Sequence, residues 1–184
     1  GTAFLLVAGI GLFNMFLNLG FSRDLYENTI HPVTYHVIDV VRGGFGLFTM
    51  ILITFYTGLL VWKEREPKLD EVLDATPLPL GIPLLARLAA IMLLLSTLLL
   101  ATTAGAMLYQ LILGHTDLQP GVYLGDYILP SLLSFGLYAV LSLVIHVLVH
   151  NKYVGYAVFL GFLAVNTILM ISLKWSSNMV SYAA

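Results

Sequence analysis

The feature that most limits what this chain can become is residues 83–113, which are apolar apart from Arg87 near the start and a few small or neutral polar side chains. A helix rises about 1.5 Å per residue and a bilayer's hydrocarbon core is about 30 Å thick, so about 20 such residues cross it. Residues 83–113 exceed that length and can tilt or project beyond the lipid. Similar stretches occupy residues 3–21, 37–62, 127–149 and 153–173. Runs such as Ile91-Met92-Leu93-Leu94-Leu95 and Thr97-Leu98-Leu99-Leu100 do not alternate apolar with polar residues, so they do not read as barrel strands. The expected fold is all-α, a polytopic transmembrane helix bundle of about five spans forming one domain over residues 1–184.

Composition agrees. The chain is 59% hydrophobic and only 10% charged, whereas soluble domains are roughly a quarter charged. A net charge of −2 gives no electrostatic case for nucleic acid. The lack of cysteine excludes a disulfide scaffold and a thiolate metal site. Apolar sequence begins almost at Gly1, with no basic n-region or small-residue cleavage motif. The stretch reads as part of a longer protein, not as a signal peptide.

Basic residues set the expected orientation. Lys63, Arg65, Lys68 and Arg87 surround the second loop and Lys152 lies in the fourth, while residues 114–126 contain neither lysine nor arginine. The positive-inside rule therefore places the second and fourth loops in the cytoplasm. Trp62, Tyr109, Tyr123, Tyr127, Tyr153 and Trp175 fall near predicted helix ends and read as interfacial anchors. Gly9, Gly11, Gly43, Gly44, Gly46, Gly58 and Gly105 read as places where helices approach closely. No glycine-rich run is followed by Lys-Ser or Lys-Thr, so there is no P-loop.

The densest charge lies between the second and third spans. Within residues 63–82, Pro67 suits the first turn of a helix, and Pro77 with Pro79 ends one. Leu69, Val72 and Leu73 fall at i, i+3 and i+4, with Asp70, Glu71 and Asp74 on the other side. This predicts a short amphipathic helix at the membrane surface. Such a helix serves either as a solvated connector or as a docking element for a soluble partner.

Three segments carry a resemblance. They are Trp62-Lys63-Glu64-Arg65-Glu66 with Leu69-Asp70-Glu71-Val72 and Asp74-Ala75-Thr76-Pro77-Leu78-Pro79; Val147-Leu148-Val149-His150-Asn151-Lys152-Tyr153-Val154-Gly155-Tyr156; and His31-Pro32-Val33-Thr34-Tyr35 before Ile53-Thr54-Phe55-Tyr56-Thr57-Gly58. Together they resemble a bacterial ABC-transporter permease family of the type-2 exporter class, some members of which are fused to a zinc aminopeptidase domain. The resemblance implies a permease half of six helices in the bacterial inner membrane. Its first cytoplasmic loop would be a coupling helix seated on a cytoplasmic ATP-binding subunit. ATP would then be held by that partner and no cofactor by this chain. A second permease half and the lipid bilayer would be the other partners. Five spans instead of six fit a fragment covering most of one half. The His-Glu-x-x-His motif of a zinc peptidase is absent from this segment, and no catalytic constellation is evident, so a transport component and not an enzyme is expected.

Other polar residues admit two uses each. His146 and His150, four apart, would share a helical face, suited to a metal or haem ligand or to capping the helix end. Asp39 and Arg42, at i, i+3, are expected to pair along the second span near its outer end, with an ion relay as the alternative. Asn14, Asn18 and Asn166 would hydrogen-bond between helices or line a substrate path. The alternative function is a membrane-anchor or cofactor-carrying subunit of an electron-transfer or assembly complex.

Overall fold

The computed structural model describes residues 2–24, 34–65, 81–114 and 116–182. These form an all-α bundle of five helices: α1 (Thr2–Asp24), α2 (Thr34–Arg65), α3 (Gly81–Ile112), α4 (Pro120–Leu148) and α5 (Lys152–Tyr182). The helices α2 to α5 are each long and apolar enough to cross a membrane, and α1 contributes the shorter apolar stretch Leu5–Gly20. This chain is thus a multi-pass membrane protein by the length and character of its helices. The expected amphipathic helix, with Leu69, Asp70, Glu71, Val72, Leu73 and Asp74, lies outside the described residues.

Pairs of contacts fix the directions. Thr34 meets Gln110 and Thr57 meets Ser142, so α2 is antiparallel to α3 and parallel to α4. Leu19 meets Tyr109, and Tyr156 meets His146, so α1 packs on α3 and α5 on α4. Helix α2 is central and touches the other four. Its interior position asks for buried hydroxyls to be satisfied locally. Thr49, Thr54 and Thr57 each donate to the carbonyl four residues earlier, on Phe45, Met50 and Ile53.

The core has two main layers. At the end where α3 finishes and α4 begins, Met15, Val37, Val41, Leu99 and Tyr127 pack together. Toward the end bearing Lys63 and Lys152, Ile53, Ile91, Leu95, Leu143 and Phe159 do so. The apolar side chains left exposed, such as Leu93, Leu133 and Ile168, suit lipid, where exposure of leucine carries no hydrophobic cost.

The helix ends have local causes. Gly114 closes α3 with φ +78°, a left-handed conformation that favours glycine, and its N–H donates to the Leu111 carbonyl at 3.0 Å. Pro120 occupies the first turn of α4, which starts seven residues before the expected 127. Gly121, Gly125 and Asp126 interrupt the apolar run over this first part of the helix. Val149 turns extended at φ −88°, ψ 142° and ends α4. Asn151 then caps α5, its Oδ1 accepting from Tyr153 N–H at 2.9 Å.

The glycines divide into two groups. A Cβ on Gly11 would stand 2.6 Å from the Phe45 ring, one on Gly58 2.4 Å from Tyr156, and one on Gly155 2.8 Å from His146. Gly9, Gly43 and Gly46 would meet nothing within 4 Å, so the expectation of close packing fails at these three. At Gly11 and Gly58 the intruder is a ring, and at Gly105 it is the Met15 methyl 3.1 Å away. Gly58→Ala should therefore lose about 1–3 kcal/mol through overpacking. Gly43→Ala should be neutral or gain up to about 1 kcal/mol from helix propensity. Unfolding of both variants in mixed detergent micelles checks the contrast in sign.

Candidate functional site

The described polar groups collect in two places and along one open groove. The first is built around α4. Residues Tyr123–Ile128 wind as a π-helix, and Leu129 N–H reaches back five residues to the Leu124 carbonyl. Pro130 follows at once. Proline has no N–H, so the Asp126 carbonyl, its i−4 acceptor, loses its ordinary α-helical donor. The guanidinium of Arg42 on α2 supplies one, Nη2 donating to that carbonyl. Arg42 is thus engaged across the bundle with α4 instead of pairing with Asp39 along α2, which corrects the expected ion pair. Asp39 stands exposed on α2.

The wide turn also faces Tyr123 and Tyr127 inward, at 1% and 3% exposure. Tyr123 Oη donates to Gln110 Oε1 at 2.9 Å, and Gln110 Nε2 reaches Thr34 Oγ1 at 3.5 Å. Deeper along α3, Tyr127 Oη and Thr102 Oγ1 lie 3.1 Å apart. Tyr109, half-buried, donates to the Leu19 carbonyl at 2.9 Å. Tyr123 and Tyr127 are thus interior struts, not the interfacial anchors their positions suggested. Tyr153, 71% exposed, retains the anchor's geometry. Gln110 was missed from sequence because a neutral amide barely interrupts an apolar run. The Tyr123–Tyr127 spacing of one helical turn was the available signal.

The second cluster lies toward the other end. Thr57 and Ser142 hydroxyls are 2.5 Å apart and fully buried. His146 Nδ1 lies 2.9 Å from the Ser142 carbonyl, and its ring meets Tyr156 edge-on at 5.0 Å. His150 lies beyond the end of α4, after extended Val149, and is exposed. The two histidines therefore do not share a helical face, contrary to expectation.

The groove opens between α2, α4 and α5. It encloses about 380 Å³ and is lined chiefly by Leu47, Met50, Ile51, Tyr138, Leu160 and Leu163, with Asn166 and Thr167 as its polar members. Asn166 thus faces a cavity. Asn14 and Asn18 do something else: Asn18 Nδ2 donates to Asn14 Oδ1 and to the Asn14 carbonyl, both at 2.8 Å and both within α1. They rest against Gly44 and form no hydrogen bond between helices among the described residues.

The Arg42 contact is testable by a double-mutant cycle. Arg42→Met should cost about 1.5–3 kcal/mol, the range for a hydrogen bond to a charged donor. In a Pro130→Ala background the restored amide can serve Asp126, and the same substitution should cost markedly less. Tyr123→Phe should cost about 0.6–1.7 kcal/mol, as membrane-embedded hydrogen bonds do. Equilibrium unfolding in detergent reads all of these.

No protein-family model matches the chain, and no match was found among curated proteins or solved structures. The class of the molecule therefore follows from its own geometry: it is a polytopic all-α membrane protein with α2 at its centre.

Proposed function

We propose that this chain is the greater part of a transmembrane permease half from an ATP-driven transporter of the bacterial inner membrane. What supports the reading is the charge-dense sequence of residues 63–82 that joins α2 to α3 and carries the resemblance. It follows directly on α2, which touches the other four helices among the described residues. A force applied there by a docked ATPase would enter the bundle through α2, which is bonded to α4 at Thr57–Ser142 and Arg42–Asp126. Lys63, Arg65 and Lys152 at the same end support a cytoplasmic placement of that segment. ATP hydrolysis would belong to the partner, and the groove holding Asn166 is where a translocation path would border this half.

The test is a reconstituted complex of the full-length protein with the ATP-binding subunit that co-purifies from its native membrane. Reversing Asp70, Glu71 and Asp74 to lysine should leave basal ATP hydrolysis intact and abolish its coupling to transport. Unaltered coupling would sink the assignment of this segment, and failure to recover any ATP-binding subunit would sink the permease reading itself.

A further inference from the structure

We propose that the groove between α2, α4 and α5 binds a small uncharged lipophile that carries a carbonyl or hydroxyl group. The inference goes beyond the permease reading and holds whether or not the chain transports what it binds.

The groove holds about 380 Å³, at the lower end of small-ligand sites, which run from about 300 to 1,000 Å³. Its depth in the membrane comes from the sequence. Tyr138 precedes the end of α4 at Leu148 by ten residues, so it lies about 15 Å into a hydrocarbon core about 30 Å thick. Asn166 falls within the apolar span Lys152–Ser172 of α5. From Gly43 to Trp62, from Tyr127 to Val149 and from Tyr153 to Leu173, these helices contain no aspartate, glutamate, lysine or arginine. His146, within the second of these stretches, packs against Tyr156 and is not in the described lining. A charged ligand therefore meets no opposite charge here.

A polar pair distinguishes the groove from a plain gap between helices. Tyr138 and Asn166 both line it and are both half-buried, and neither makes a side-chain hydrogen bond among the described residues. Thr167 differs, since its hydroxyl donates to the Leu163 carbonyl at 2.8 Å within α5. Tyr109, Tyr123 and Tyr127 differ too, each being bonded within the bundle. An amide and a phenol can each donate and accept, and hydrocarbon offers them neither partner.

These features choose the occupant. An acyl chain fills the volume but leaves both polar groups unmet. A partner helix needs a seam several turns long, whereas the lining residues of α2, Leu47 to Ile51, cover only about 6 Å of rise. A compact apolar molecule with one carbonyl or hydroxyl meets the polar pair and lays its hydrocarbon on Met50, Leu160 and Leu163.

Hexylbenzophenone is a suitable probe, because its carbonyl is both the hydrogen-bond acceptor and the photoreactive centre. The full-length protein in phosphatidylcholine nanodiscs is irradiated with it, and modified peptides are identified by mass spectrometry. Labelling should saturate and fall on groove residues of α2 and α5, and undecanone should compete for it where undecane does not. Asn166→Leu with Tyr138→Phe should raise the half-saturating concentration about five- to tenfold, the scale of two membrane-embedded hydrogen bonds. Asn14→Leu on α1 should leave it unchanged. The competition uses the parent protein and does not depend on the variants folding. Equal protection by undecane would identify a hydrocarbon gap filled by acyl chains, and cross-links joining two copies of the chain would assign the groove to a second copy. Either result overturns the proposal, as does labelling that fails to saturate or that the double variant leaves unaltered.

Discussion

One missing amide organises this bundle. Pro130 deprives the Asp126 carbonyl of its helical donor. Two features accompany that loss: α4 widens into a π-turn over Tyr123–Ile128 just before the proline, and Arg42 on α2 donates to the carbonyl. The second pins α2 to α4. The first turns Tyr123 and Tyr127 toward α3, where Gln110 and Thr102 receive them. A residue chosen against helix continuity thus leads to polar contacts that join α2, α3 and α4 at one end.

The other end is held by shape. Tyr156 fills the space that Gly58 leaves on α2, and Gly155 admits the His146 ring. Ring-over-glycine packing suits a membrane protein because association there draws on van der Waals contact and not on expulsion of water. The Thr57–Ser142 hydroxyl pair adds a polar bond between α2 and α4 at the same level. Because threonines of α2 bond their own carbonyls, this central helix carries buried hydroxyls without demanding a partner for each.

Much of the architecture was legible in the sequence because bilayer thickness leaves few readings of a long apolar run. The all-α class, the helix order and the turn between α4 and α5 followed from run length and punctuation. The start of α4 did not, because Gly121, Gly125 and Asp126 look like a loop until Pro120 and the π-turn are seen to carry the helix through them. Partners across the bundle were also hidden. Arg42 has an acid one turn away in Asp39, and nothing local says that a proline-freed carbonyl 84 residues on competes for it. For glycines the residue type is identical at Gly43 and Gly58, and only the facing ring distinguishes them. His146 and His150 show how one extended residue, Val149, undoes a spacing argument.

Sequence distance between contacts sets a sequence of assembly. His146 and Tyr156 are ten positions apart, so α4 and α5 can close as a hairpin when both have left the ribosome. The bonds joining α2 to α4, Arg42–Asp126 and Thr57–Ser142, span 84 and 85 positions. During synthesis α2 therefore waits for α4 through the whole of the intervening chain. Its threonines tolerate the wait by bonding their own helix, but Arg42 has no such recourse within hydrocarbon. Its place close to the end of α2 lets the guanidinium remain in the headgroup layer until Asp126 arrives. The bonds that join α2 to α4 are thus long-range, and until they form α2 has α1, made before it, as its neighbour.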